Sequence, residues 1–112
     1  MEERRRSTRA VFREALEYRT QDRENLIGSV GYDISEGGVR FQSDDFIPLH
    51  APLFIRMALS PNQSIDLHGR VVWVQMVPHS ERYHIGLEFD DSDSMVYSKK
   101  LIREYIKSRQ SA

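Results

Sequence analysis

A chain of 112 residues, 39% hydrophobic and 29% charged, is long enough for one domain with a modest core and too apolar to stay unfolded. Its formal net charge of -1 supplies no global field for a nucleic-acid backbone, and the absence of cysteine excludes disulfides, thiolate nucleophiles and Cys-based zinc sites. A reducing cytoplasm is the compartment that this cysteine usage predicts.

Met1 to Arg9 has no apolar residue after Met1 and cannot join a core, so residues 1–9 are expected to form a mobile, arginine-rich arm. Its charged N-terminus lacks the apolar region of a signal peptide. The folded unit is expected over 10–112. From Ala10 to Thr20, Phe12, Leu16 and Tyr18 share one face of a strand. In the stretch from Asn25 to Ile34, Leu26, Val30, Tyr32 and Ile34 alternate with Ser29, Gly31 and Asp33. Gly38 to Ser43 continues with Val39 and Phe41 inward and Arg40 and Gln42 outward. After the breaks at Pro48 and Pro52, Leu53, Ile55, Met57 and Leu59 make another strand.

Ser64 to Val77 is the longest extended segment, and its period places Ile65, Leu67, Val71 and Trp73 on one face. Both faces become apolar over Val71-Val72-Trp73-Val74, as in a strand covered on each side, and this run is far too short to span a bilayer. Tyr83, Ile85, Leu87 and Phe89 alternate without fault. The period then lengthens to that of a helix over about 91–108, with Asp91, Ser92 and Asp93 as capping residues and Leu101, Ile102, Tyr105 and Ile106 on the buried side. Short strands joined by turns and closed by one helix predict a small antiparallel barrel or sandwich.

Catalysis is not expected. His50, His68, His79 and His84 show no metal-ligand spacing on a shared helix, and phosphate-binding loops, nucleophile elbows and dinucleotide fingerprints are missing. Asp44-Asp45 and Asp90-Asp91 are adjacent carboxylates of the kind found at strand ends. What remains is an arginine run, Arg4-Arg5-Arg6-Ser7-Thr8-Arg9, and a turn, Asp33-Ile34-Ser35-Glu36-Gly37-Gly38. Alone, the first reads as a solvated charge run and the second as a hairpin. Together they suit a ligand that is both anionic and guanine-bearing. Arginine's planar fork matches phosphate and the O6/N7 edge of guanine, a carboxylate matches the N1/N2 edge, and glycine reaches φ > 0 or lets a ligand approach the backbone.

These two stretches give the sequence its resemblance to the PilZ family of cyclic di-GMP receptor domains, whose motifs are RxxxR and [D/N]xSxxG. Arg5 to Arg9 fits the first and Asp33 to Gly38 the second, with Gly69-Arg70-Val71-Val72-Trp73 and Ile85-Gly86-Leu87-Glu88-Phe89 downstream. The resemblance implies a mainly β fold, a six- to seven-stranded antiparallel β-barrel with a C-terminal helix. It also implies that Arg5 and Arg9 hold guanine edges and phosphates, and that Asp33, Ser35 and Gly38 contact the other guanine and its backbone. Arg4 falls where family members with arginine bind a stacked pair of nucleotides, which implies two per chain. Trp73 falls where some members place an aromatic beside the ligand, with a core tryptophan as the equal alternative. Arg40, outward beside the turn, is either a phosphate contact or an ordinary surface arginine.

The expected function is a stand-alone, cytoplasmic cyclic di-GMP receptor that needs no cofactor and no metal, orders its arm on binding and signals by docking to a partner protein. Nucleic-acid binding and membrane insertion are not expected. The alternatives are an adaptor of the same fold that does not use the nucleotide, and a single-stranded RNA-binding barrel. Few aromatics and no basic strand face support the latter.

Overall fold

Leu53, Ile55, Met57 and Leu59 all point into one core, as their two-residue period requires, and the strands on either side of them do the same. In the computed structural model, which describes residues 8–110, seven strands precede a single helix. They are β1 (Ala10–Val11), β2 (Ala15–Thr20), β3 (Ile27–Ser35), β4 (Gly38–Ser43), β5 (Pro52–Ser60), β6 (Gln63–Met76) and β7 (Tyr83–Phe89). A 3-10 turn at Asp93–Met95 leads into α1 (Val96–Gln110). All pairings are antiparallel. The order β3-β2-β5-β6-β7-β4 closes on itself through β4 and β3, giving a six-stranded barrel with β1 as an extra strand on β3. The expected barrel and terminal helix are therefore present. The long expected strand over Ala10 to Thr20 is instead two, interrupted where Phe12 turns wholly inward.

Hydrogen bonds from Phe12 N to Tyr32 O (3.0 Å) and from Gly31 N to Glu14 O (3.1 Å) hold that interruption against β3. Gly31 lies against the Phe12 ring, and a Cβ there would overlap it. Inside the barrel, Phe41, Ile55, Met57, Leu67 and Ile85 are fully enclosed, and Tyr18 packs 5.0 Å from Phe41. Burial pushes the Tyr18 phenol above its ordinary pKa, and its hydroxyl lies 2.9 Å from the equally buried Ser43 Oγ. Helix α1 adds Ile102, Tyr105 and Ile106 to the core, with Tyr105 edge-on to Phe12 at 5.7 Å. It begins later than the acidic residues suggest. Ser92 caps only the 3-10 turn and makes no side-chain capping bond, while Asp91 receives Lys99 at 3.5 Å.

The ladders slip at three places; one, between Ala58 and Ser60, lies beside the β5–β6 turn, and the other two are bulges that each move an aromatic outward. The register of β3 on β4 slips between Gly31 and Asp33, so Tyr32 is an extra residue, half-buried outside the barrel, and Val30 is exposed. The register of β6 on β7 slips between Val71 and Trp73. Val71 is buried, Val72 is exposed, and Trp73 is displaced from the core face on which strict alternation puts it. Among the described residues, no helix is long and apolar enough to cross a membrane.

Candidate functional site

The two bulges flank one patch of the outer wall. Asp33, Arg40, Gly86 and Trp73 stand in register across β3, β4, β7 and β6. Gly86 offers no side chain, so the row has a gap between Arg40 and Trp73. Trp73 lies against that gap, with its Cβ 3.1 Å and its Cε3 3.5 Å from where a Gly86 Cβ would stand. The Arg40 guanidinium sits 5.7 Å from the Trp73 ring centre. The result is a cleft of about 430 Å³ whose lining includes Arg9, Ser35, Gly38, Arg40, Trp73 and Glu88.

Asp33 organises the charge. Its Oδ1 accepts from Arg9 Nε (3.0 Å), Arg9 Nη2 (2.7 Å) and Arg40 Nε (3.1 Å), and its Oδ2 lies 3.0 Å from Arg40 Nη2. One carboxylate thus aligns two guanidinium forks and leaves one positive charge in excess. Each fork still has N–H donors that Asp33 does not use. Arg9 enters from just before β1, and that short strand places it by pairing Ala10 with Ile34 and Val11 with Asp33. The N-terminal arginine motif and the turn motif therefore meet at Asp33 through Arg9.

The turn itself works differently from the sequence expectation. No glycine among the described residues has a positive φ. Gly38 is required instead by a close approach, because a Cβ there would overlap the Leu87 carbonyl oxygen, whereas one on Gly37 would meet open space. Ser35 is buried, and its Oγ accepts from Gly37 N at 3.3 Å, which fixes the backbone of the turn. Glu36, at the tip, pairs with Arg103 of α1.

Of the residues singled out in the sequence, Arg9, Asp33, Ser35, Gly38, Arg40 and Trp73 converge here. Arg4, Arg5 and Arg6 lie outside the described residues. Sequence reasoning missed the row beside the cleft. His84 lies 4.3 Å from the Tyr32 ring and 6.4 Å from Trp73, and Tyr32 Oη donates to Gln42 Oε1 at 2.9 Å. Gln42 and His84 are direct cross-strand partners, so the outward positions of the two cleanest strands carried the available signal. Among the described residues, no cluster of three His, Asp or Glu side chains could hold a metal ion.

The PilZ domain profile matches residues 3–108, nearly the whole chain. The chain belongs to the PilZ family. No curated protein sequence matches this PilZ chain. Its fold is shared with the Bacillus subtilis inhibitor of motility MotI/DgrA, at 20% identity and TM-score 0.75, over 97% of this chain and 52% of that one. It is also similar to the PilZ domain of Escherichia coli YcgR with c-di-GMP (13% identity, TM-score 0.72, 97% of this chain, 93% of that one). A third likeness is to the K. pneumonia MrkH–c-di-GMP complex (17% identity, TM-score 0.69, 100% of this chain, 57% of that one). The PilZ chain described here thus spans about half the length of the MotI/DgrA and MrkH chains. At such identities the likeness concerns the fold.

Proposed function

We propose that this PilZ domain is a cyclic di-GMP receptor. The carrying observation is the Arg9–Asp33–Arg40 cluster at the edge of a cleft walled by Trp73 and the Ser35–Gly38 turn. Guanidinium donors left over by Asp33 suit phosphate or the O6/N7 edge of guanine, Asp33 suits the N1/N2 edge, and Trp73 supplies a flat apolar surface for a base. The c-di-GMP named with the YcgR domain and with MrkH supports the same ligand class.

In this reading Arg5 and Arg9 grip guanine edges and phosphates, and Arg40 adds a phosphate contact. Gly38 keeps the turn close, and Ser35 shapes it for the second guanine. The arm of residues 1–9 orders over the ligand, and the ordered arm changes what the surface offers to a partner protein. No step of this cycle is catalytic.

Calorimetric titration tests the ligand. Cyclic di-AMP reverses the donor–acceptor pattern that Asp33 reads and should bind more weakly by about 1–3 kcal/mol per lost bidentate contact. Equal affinities would remove Asp33 from the recognition scheme. Two nucleotides per chain are expected, because Arg4 adds counter-charge for a second stacked dianion. Arg4→Leu should then titrate to one.

The second reading, an adaptor that does not use the nucleotide, draws on the pairing of Asp33 with both Arg9 and Arg40, which engages both of its carboxylate oxygens. A flat titration with both cyclic dinucleotides would favour it.

A further inference from the structure

At the opposite end of β3 and β4 from the Ser35–Gly38 turn, the segment 44–51 holds apolar side chains out in water. Ile47 plugs the core, and Phe46 beside it is 61% exposed, with Leu49 at 52%. This is not the exposure of a slack loop. The Tyr18 hydroxyl lies 2.9 Å from Ser43 Oγ, which gives its own proton to Asp45 O (2.8 Å) and accepts from Asp45 N (3.1 Å). Further along, His50 N donates to Val71 O (2.7 Å) and Ala51 N to Pro48 O (3.2 Å). The Phe46 ring rests edge-on against Tyr83 at 5.7 Å. An apolar anchor held out by a buried polar network has already lost the freedom that binding would otherwise remove.

Beside Phe46 runs a groove of about 530 Å³ with Ile27, Ile47, Pro48 and Ala51 in its wall. It shares no lining residue with the nucleotide cleft. Its polar edge carries two carboxylates against one arginine, Arg23, together with Thr20 and Gln21. Asp22 and Asp45 line it, and Asp44 is adjacent in sequence. The Thr20 hydroxyl donates to Asp22 at 2.6 Å and holds that carboxyl below its ordinary pKa, so it stays anionic. The local cations neutralise the rim only loosely, with Arg23 at 3.9 Å from Asp45 and Arg82 at 3.5 Å from Asp44.

We propose that this groove docks a segment of another protein that carries an aromatic or leucine anchor flanked by lysine or arginine. The apolar wall and Phe46 take the anchor, and the carboxylate rim selects the positive flanks over negative ones. The surface supplies the partner contact of the receptor reading, yet it has no residue in common with the cleft, so the two readings fail separately.

The test uses the full, nucleotide-free chain and a phage-displayed random dodecapeptide library as the probe. Enriched peptides should combine Phe, Trp or Leu with Lys or Arg, and their synthetic forms should shift amide resonances of residues 20–27 and 43–52. Phe46→Ser should weaken them at least about tenfold, since an exposed, central aromatic is the expected hot spot. Its melting temperature should match that of the parent, and Pro48→Ser, at another exposed residue of the groove wall, provides a second variant if it does not. Four results would each overturn the proposal: no enrichment, enrichment of acidic peptides, shifts confined to other residues, or unchanged binding by both serine variants. A parent dimer that dissolves in Phe46→Ser on sedimentation would assign the groove to a second copy and overturn it equally. If the peptide arm fails while cyclic di-GMP still binds, the receptor reading stands.

Discussion

Arg40 pairs with Asp33 and lies 5.7 Å from Trp73; Arg56 pairs with Asp66 and lies 5.7 Å from Phe54. Two faces of the barrel thus carry an arginine, its aspartate and an aromatic ring at the same arginine-to-ring distance. On the second face, Arg56 and Asp66 stand directly opposite in a stretch of ladder that is regular from Pro52 to Ala58, and bond through both forks, at 2.8 and 3.2 Å. Phe54 there also carries Arg19 at 5.0 Å and His68 at 5.3 Å, so the aromatic is covered. The first face has a bulge on each flanking strand, a bare glycine in the middle of the row and a second arginine arriving from outside the ladder. Residue types alone do not distinguish the two patches. Backbone irregularity does, because it removes a side chain from the row and turns Trp73 outward to wall the space.

The largest expected difference is in ligand binding. Asp33→Ala frees two arginines from their alignment and removes an acceptor, and should lower cyclic di-GMP affinity on the order of 100-fold, about 3 kcal/mol. Asp66→Ala should leave the affinity within about twofold, as expected for a change at a separate, independent site. Calorimetric titration of both checks this, and comparable losses would dissolve the distinction between the faces.

A smaller effect should follow from refilling the gap. Gly86→Val places methyl groups against Trp73, whose Cβ is already 3.1 Å from the site of the new Cβ. Denaturant unfolding should show a loss of about 1–3 kcal/mol, with nucleotide binding weakened alongside. Gly37→Ala, which meets open space, should change neither.

The smallest effect belongs to the regular face. The Arg56 hydrogen bond holds the Asp66 carboxyl below its ordinary pKa. A carboxyl depressed in the folded state binds fewer protons there than in the unfolded chain. It therefore contributes stability above the ordinary carboxylate range, and that contribution disappears as pH falls through the folded pKa. Both side chains are nearly half exposed, so screening keeps the contribution small. Melting curves of the parent and Asp66→Asn should differ slightly at neutral pH, and should converge both in acid and in strong salt.

Much of this was legible in the chain because burial enforces a period. Gly38 to Ser43 and Tyr83 to Phe89 appear with the bounds that their alternation indicates, and Arg9, Asp33, Ser35 and Gly38 meet as their motifs imply. The errors in side-chain facing have one source. Periodicity counts residues, and a bulge adds one without altering the composition. Tyr32 was therefore assigned to the inner face, and Trp73 was left between the core and the ligand, although one extra residue in each strand sends both out. Phe12 interrupted an expected strand because the core needed a plug more than the ladder needed two pairs. The helix start was misplaced because a 3-10 turn over Asp93–Met95 precedes it and holds Asp93 in its own first turn, while Asp91 pairs with Lys99. Gly38 was recognised, but the crowding by Leu87 that requires it depends on a strand about fifty residues away.

Closure of the barrel also fixes when the cleft comes into being. β4 meets β3 through a local hairpin, but its other edge must find β7, from Gly38 opposite Glu88 to Ser43 opposite Tyr83. Such a distant pairing is slow to form, since the intervening loop must be ordered before its contacts are gained. The cleft spans that seam, with Arg40 on one side and Gly86 and Trp73 on the other. A chain with the seam open has the motifs and no site. Any ligand of the cleft consequently binds only the fully closed form, and at about 100 times its Kd it should raise the unfolding free energy by about 2.7 kcal/mol. Thermal unfolding thus becomes a direct gauge of cleft occupancy.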